Sequence, residues 1–272
     1  MTRLSLAELE RRCQKPDHRR IGNWMARRVS RPLALRVTWV VLPSGLSAHG
    51  ATCLAMLVAV AAAVAFGYGS LSSWLLAAGL LQAWYLLDHV DGQLARFHGV
   101  ASLDGVQLDY LMHHVVNLIV PWGIGFGLAG RPLSPLWIAL GLAFSLGLLS
   151  IGLVNDTRYK AFIDRLKTIE GEFRVRGGAG GRPAPAPPVP RGPLRFAAYA
   201  ARKACEIHVL MNVFTLLAIG EWLLADSNHF AARAYLAAMA PVSLVVALAG
   251  VVRSVRRENC EREFAAWFGS EE

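Results

Sequence analysis

Acidic residues are scarce in this chain: Asp and Glu number 19 against 28 Lys and Arg, a formal net charge of +9. Cysteine is scarce as well. Cys13, Cys53, Cys205 and Cys260 stand far apart, without the close pairs a thiolate metal site needs, so they read as free thiols outside any disulfide framework. The N-terminus is rich in charge and has no short apolar core with a cleavage site, so a secretory signal is not expected. No internal repeat is visible. Charge is missing above all from long apolar runs. With 54% hydrophobic residues and a mean hydropathy of +0.39, the chain is too apolar for a soluble domain of this size. An all-α integral membrane protein is expected, with no nucleic-acid partner. The positive excess then marks cytoplasmic loops and anionic lipid surface.

The apolar runs predict six transmembrane helices, at about 50–68, 74–90, 106–128, 136–154, 204–224 and 234–252. Before them, residues 1–45 form a basic tail with interfacial helices. Ile21, Trp24, Met25 and Val29 recur at helical spacing among arginines, which predicts a short amphipathic interfacial helix over 19–28. Residues 33–42 are apolar but short, and Pro43-Ser44-Gly45 ends them as an entry helix near the interface. The membrane domain covers 46–258, interrupted at about 174–194 by a Gly/Pro-rich stretch expected to be a disordered cytoplasmic loop. Residues 259–272 form a C-terminal cytoplasmic tail. The loops 69–73, 129–135 and 225–233 hold only Arg131 and Arg233 among Lys and Arg. The positive-inside rule therefore puts both termini and the turn after Asp88 on the cytoplasmic side.

That turn carries the chemistry. Asp88 and Asp91 are three apart and share a helix face, while Gly105, Asp109 and His113 follow at intervals of four on the next helix. If the two helices pack antiparallel, three carboxylates and an imidazole converge. Unpaired carboxylates repel, so a hard divalent cation, Mg²⁺ or Mn²⁺, is the expected neutraliser. Gly92 and Gly105 let a ligand come close, and Arg96 supplies a planar fork suited to phosphate. His113 is a candidate base, a metal ligand, or a mark of lost activity. His114 points about 100° away and reads as a packed polar residue. Arg158, Lys160, Arg202 and Lys203 lie at cytoplasmic helix ends, where anchoring alone explains them. Glu206 and His208 are further pocket candidates on that face.

Written out, the stretch is D-x2-D-G-x2-A-R-x8-G-x3-D-x3-H. It closely resembles the signature of the CDP-alcohol phosphatidyltransferase family. Asp88, Asp91, Gly92, Ala95, Arg96, Gly105 and Asp109 stand at that family's spacing, and His113 occupies the place of its last aspartate, the proposed catalytic base. The resemblance implies six spans and a two-metal site on Asp88, Asp91 and Asp109. It also implies a CDP pocket lined by Gly92, Ala95, Arg96 and Gly105. Thr52 is what survives of the family's P-N-x2-T element, with Ala48 and His49 replacing Pro and Asn. Its nucleotide contact is the weaker expectation beside a cap role.

The implied reaction is metal-dependent transfer of a phosphatidyl or phospho-alcohol group from a CDP-linked donor to an alcohol acceptor. CMP is released, at least one partner is a lipid, and the protein is a homodimer of the cell inner membrane. The alternative is an inactive membrane homologue that binds nucleotide or metal. An aspartate-rich prenyltransferase would need more spans and a second aspartate motif. A metal transporter would spread its carboxylates along a path through the membrane.

Overall fold

The computed structural model describes residues 4–15, 18–20, 22–169 and 189–268. Every regular element among the described residues is helical. Helix α1 (Leu6–Cys13) starts at Ser5, whose hydroxyl accepts the Glu8 amide at 3.3 Å. A π-type turn at Ala26–Ser30 then leads directly into α2 (Arg31–Val41). The interfacial helix expected over 19–28 is displaced toward the C-terminus: Arg19 and Arg20 lie in a turn, and the helical run opens at Trp24. The cause is local. Gly22 takes a left-handed φ of 92°, and Asn23 Oδ1 then caps the run by accepting the Ala26 amide at 2.8 Å.

The long helices follow as α3 (Ala48–Tyr68), α4 (Leu71–His98), α5 (Leu103–Leu128) and α6 (Pro135–Leu166). Ser47, Ser70 and Ser102 cap the first three through their hydroxyls, so three short loops each carry their own start signal. After the undescribed residues come α7 (Pro193–Ala204), α8 (Ile207–Leu223), α9 (Phe230–Arg256) and α10 (Asn259–Phe268). Most of the loop expected at about 174–194 lies outside the described residues, and its end, from Pro193, is already the first turn of α7.

Four helices, α3, α5, α6 and α9, are long and apolar enough to cross a bilayer. The fifth expected span is broken: α7 and α8 meet at a bend of 77° and cross only if taken as one unit. The second expected span, α4, has the length at 28 residues but not the composition. Ser72, Ser73, Gln82 and the rings of Trp74, Trp84 and Tyr85 hold its hydropathy down. The larger of them face protein: the three rings are buried, and Gln82 Nε2 donates to Thr215 Oγ1 of α8 at 2.9 Å. On the outside, Leu57, Leu76, Leu216, Val245 and Leu248 are each more than half exposed, an apolar surface that suits lipid.

α3 is the hub. Its small-residue face (Ala51, Ala55, Ala59, Ala62) is fully buried, and both α4 and α5 pack along it. On α5, a Cβ on Gly123 would stand 2.3 Å from the Ala63 carbonyl oxygen, and one on Gly127 would stand 2.0 Å from that of Phe66. The seam is backbone against backbone, the contact that small residues permit between membrane helices. At the other edge, α10 doubles back on α6: Arg158 meets Glu263 at 2.7 Å, and Phe162 packs edge-on against Phe264 and Trp267.

Candidate active site

The C-terminal third of α4 and the first turns of α5 face each other across a cavity of about 400 Å³. The antiparallel contact expected between these two helices is not how they meet. α4 packs chiefly along α3, α5 equally along α3 and α6, and the two make little contact with each other. The space between them is the cavity, and Asp88, Asp91, Gly92, Ala95, Arg96, Gly105, Asp109, His113 and Thr52 all line it.

Asp88, Asp109 and His113 form the tightest group, each offering a ligand atom within 4.8 Å of the others. His113 Nδ1 donates to the Asp109 carbonyl at 2.9 Å. That bond fixes the tautomer, because a carbonyl only accepts. Nε2 is left facing Asp88 Oδ1 at 3.5 Å, and the Trp84 ring edge, 5.8 Å away between centroids, backs the imidazole. Asp88 Oδ1 is buried and has no hydrogen-bond partner, an unfavourable state for a carboxylate that a bound cation would relieve. The donor set of carboxylate oxygens plus one imidazole nitrogen fits Mg²⁺ or Mn²⁺.

Asp91 lines the same cavity but stands outside that tightest group. Its Oδ1 accepts the Gly92 amide, and its Oδ2 lies 2.7 Å from Thr52 Oγ1. Thr52 therefore holds a carboxylate from α3, while Ser47 caps the helix. Glycine matters here for space. A Cβ on Gly92 would sit 3.2 Å from the Arg96 guanidinium, and one on Gly105 would sit 3.5 Å from His49 Nε2. Arg96 is anchored from behind, its Nε donating to the Cys13 carbonyl of α1.

His114 turns toward α6, with Nε2 2.7 Å from Asp156 Oδ2. Arg158, Arg202 and Glu206 line a separate cavity between α6, α7 and α9. Sequence reasoning overlooked several lining residues: His49, His89, Gln14, Lys15 and Arg31. His89 was the readable one, since it sits between the two aspartates. The others reach the cavity only through tertiary packing.

Residues 40–169 match the CDP-alcohol phosphatidyltransferase family. That domain begins near the end of α2, closes just after α6 and contains every residue from Asp88 to His113. It supports phosphatidyl-type transfer from a CDP-alcohol as the general chemistry, within a membrane-associated and typically divalent-metal-dependent family. Among curated proteins none matches the chain.

Proposed function

We propose that the protein transfers a substituted phosphate group from a CDP-linked donor to an alcohol and releases CMP, at least one of the two substrates being a lipid. The observation that supports this best is Asp88 Oδ1, buried without a hydrogen-bond partner and facing Asp109 and His113 in a cavity that also presents Arg96. Asp88, Asp91 and Asp109 would hold two cations, Mg²⁺ or Mn²⁺. Bound there, they would neutralise the diphosphate and favour its cleavage.

The alcohol oxygen forms a bond to the donor phosphorus that carries the transferred group. The bond from that phosphorus to the bridging oxygen breaks, and CMP leaves with the electron pair. The alcohol's proton goes to His113 Nε2, the ring nitrogen whose lone pair is free once Nδ1 is engaged with Asp109. A single nitrogen cannot accept that proton and ligate a cation at once, so the carboxylates take the metals. Arg96 orients phosphate oxygens, Gly92, Ala95 and Gly105 let the nucleotide lie against backbone, and Thr52 steadies Asp91. Arg158, Arg202 and Arg253 line the second cavity, of about 540 Å³, which suits a phosphate carried by the acceptor.

The reading includes six crossings, with α4 and the α7–α8 pair as spans and the site on the cytoplasmic face of the inner membrane. It is tested in host membranes carrying the protein, supplied with labelled CDP-diacylglycerol or a CDP-linked headgroup donor. CMP release that requires Mn²⁺ or Mg²⁺ is expected. If the wild type is inert with every CDP donor while His113→Asp turns over, the natural protein is a binding homologue. Orientation is checked on a background with the four cysteines replaced: Ser227→Cys should react with an impermeant thiol reagent in intact cells, and Arg257→Cys should not.

A further inference from the structure

A third cavity, also charged, adjoins the first. α1, the turn at 18–20, the π-type turn and α2 enclose about 640 Å³ lined by Arg19, Arg20, Arg27, Arg28, Arg31 and Arg36. Arg31 is already held, its guanidinium donating to the His18 carbonyl at 2.5 Å, and Glu10, the one carboxylate among the described lining residues, is engaged too. Its Oε1 accepts Arg19 NH2 at 2.8 Å and lies 3.1 Å from His18 Nε2. Arg27 Nε is buried without a partner. So much guanidinium around one concave space calls for an anion with several oxygens, and the planar fork matches phosphate.

The surroundings decide what carries that phosphate. Trp24, Val29, Leu33 and Val40 are 66%, 42%, 43% and 61% exposed. They follow one another along the helical run that opens at Trp24, beside Arg28 and Arg36. A soluble phosphate needs no apolar stripe. A lipid does, since its chains lie against the stripe while its headgroup enters the cavity, and tryptophan is at home at that depth.

From this we infer that the N-terminal helices form a binding site for the phosphate headgroup of an anionic membrane lipid, distinct from the site of transfer. The two cavities share Gln14 and Arg31 as walls, and the Cys13 carbonyl at the end of α1 holds Arg96. A lipid seated here steadies α1 against the residue that faces the donor's phosphates.

Native mass spectrometry of the full-length protein, released from vesicles of equal phosphatidylglycerol and phosphatidylcholine, tests this. The wild type should retain phosphatidylglycerol selectively, and less of it as salt rises. In R27Q/R28Q/R36Q retention should fall about 10²-fold, from the usual worth of a juxtamembrane cation. Metal binding at the aspartates should stay unchanged. R27K/R28K/R36K should keep most of the retention.

Equal retention of both lipids, or full retention in the glutamine variant, would overturn the site. Displacement of the lipid by millimolar inorganic phosphate would make the occupant a soluble anion and overturn the lipid assignment. If the glutamine variant fails to fold, the headgroup preference and salt response of the wild type decide alone.

Discussion

Glu221 and Asp88 lie near opposite ends of the bundle, each with a buried carboxylate oxygen, and the two are treated in opposite ways. Near the α3–α4 turn, Glu221 is 2% exposed and fully engaged. Oε2 accepts His229 Nδ1 at 2.6 Å and Oε1 accepts the Ala232 amide at 2.8 Å. His229 Nε2 donates to the Gly69 carbonyl at 3.0 Å, and Trp74 stacks on the ring at 4.3 Å. About 21 Å along α4, Asp88 Oδ1 is buried with no hydrogen-bond partner, and Asp109 and His113 face it. The first arrangement is complete without a ligand and ties α8 and α9 to the α3–α4 turn. The second is incomplete, and a buried charge left incomplete is stability given up for binding.

The largest effect expected from testing that contrast is on activity. Asp88→Asn and Asp109→Ala should each lower CMP release by about 10³-fold or more, since several kcal/mol of charge stabilisation depend on the metals. In metal-free buffer Asp88→Asn should melt no lower than wild type, because it removes a charge whose buried Oδ1 has no hydrogen-bond partner. A lower melting temperature there would make Asp88 a structural acid like Glu221.

The matched change at the other end, Glu221→Ala, should cost about 3–5 kcal/mol of stability in a detergent melt, as breaking a buried pair does. The activity per folded molecule should be unchanged. Next in size, His113→Ala should slow turnover about 10²-fold while keeping metal affinity. His113→Asp should restore most of the rate. Loss of metal affinity in the alanine variant would make His113 a ligand and not the proton acceptor.

The smallest effect is a pH response at the structural end. Burial acts to lower the His229 pKa, but the bonds to Glu221 and the Gly69 carbonyl, with the charges of Glu221 and Asp226, raise it above its ordinary value. A raised histidine contributes stability that is full below its unfolded pKa, about 6.5, and is lost as pH rises through the higher folded value. The melting temperature should therefore decline from mildly acidic to alkaline pH, and His229→Gln should flatten the curve.

These two ends were not equally legible. The aspartate cavity was readable because a helix turns regular spacing into a shared face: Asp88 with Asp91, and Gly105 with Asp109 and His113. What spacing could not show is that α3 holds the two faces apart, or that Thr52 serves Asp91. Glu221 is an acid inside an apolar run, a signal that the sequence expectations left unused. Its partner His229 comes from a loop where it takes a left-handed φ of 52°, and no periodicity reports that. The count of spans by composition, four or five among the described residues, stops short of the expected six for a related reason. α4 turns Gln82 and three aromatic rings toward its neighbours, so its composition understates how well it is buried, and the break at Glu206 has no proline or glycine to announce it.

The α3–α5 seam sets the tolerance of the whole site. Gly123 and Gly127 lie 14 and 18 residues beyond Asp109, some 21–27 Å along the helix, and neither lines the aspartate cavity. Yet α5 works as a lever whose fulcrum is that glycine contact. A single methyl placed where the Phe66 carbonyl allows no room would swing the Asp109 end away from Asp88. In a survey of every substitution, these glycines should be as intolerant as the aspartates, and a map of essential positions would draw an active site that extends far beyond its own chemistry.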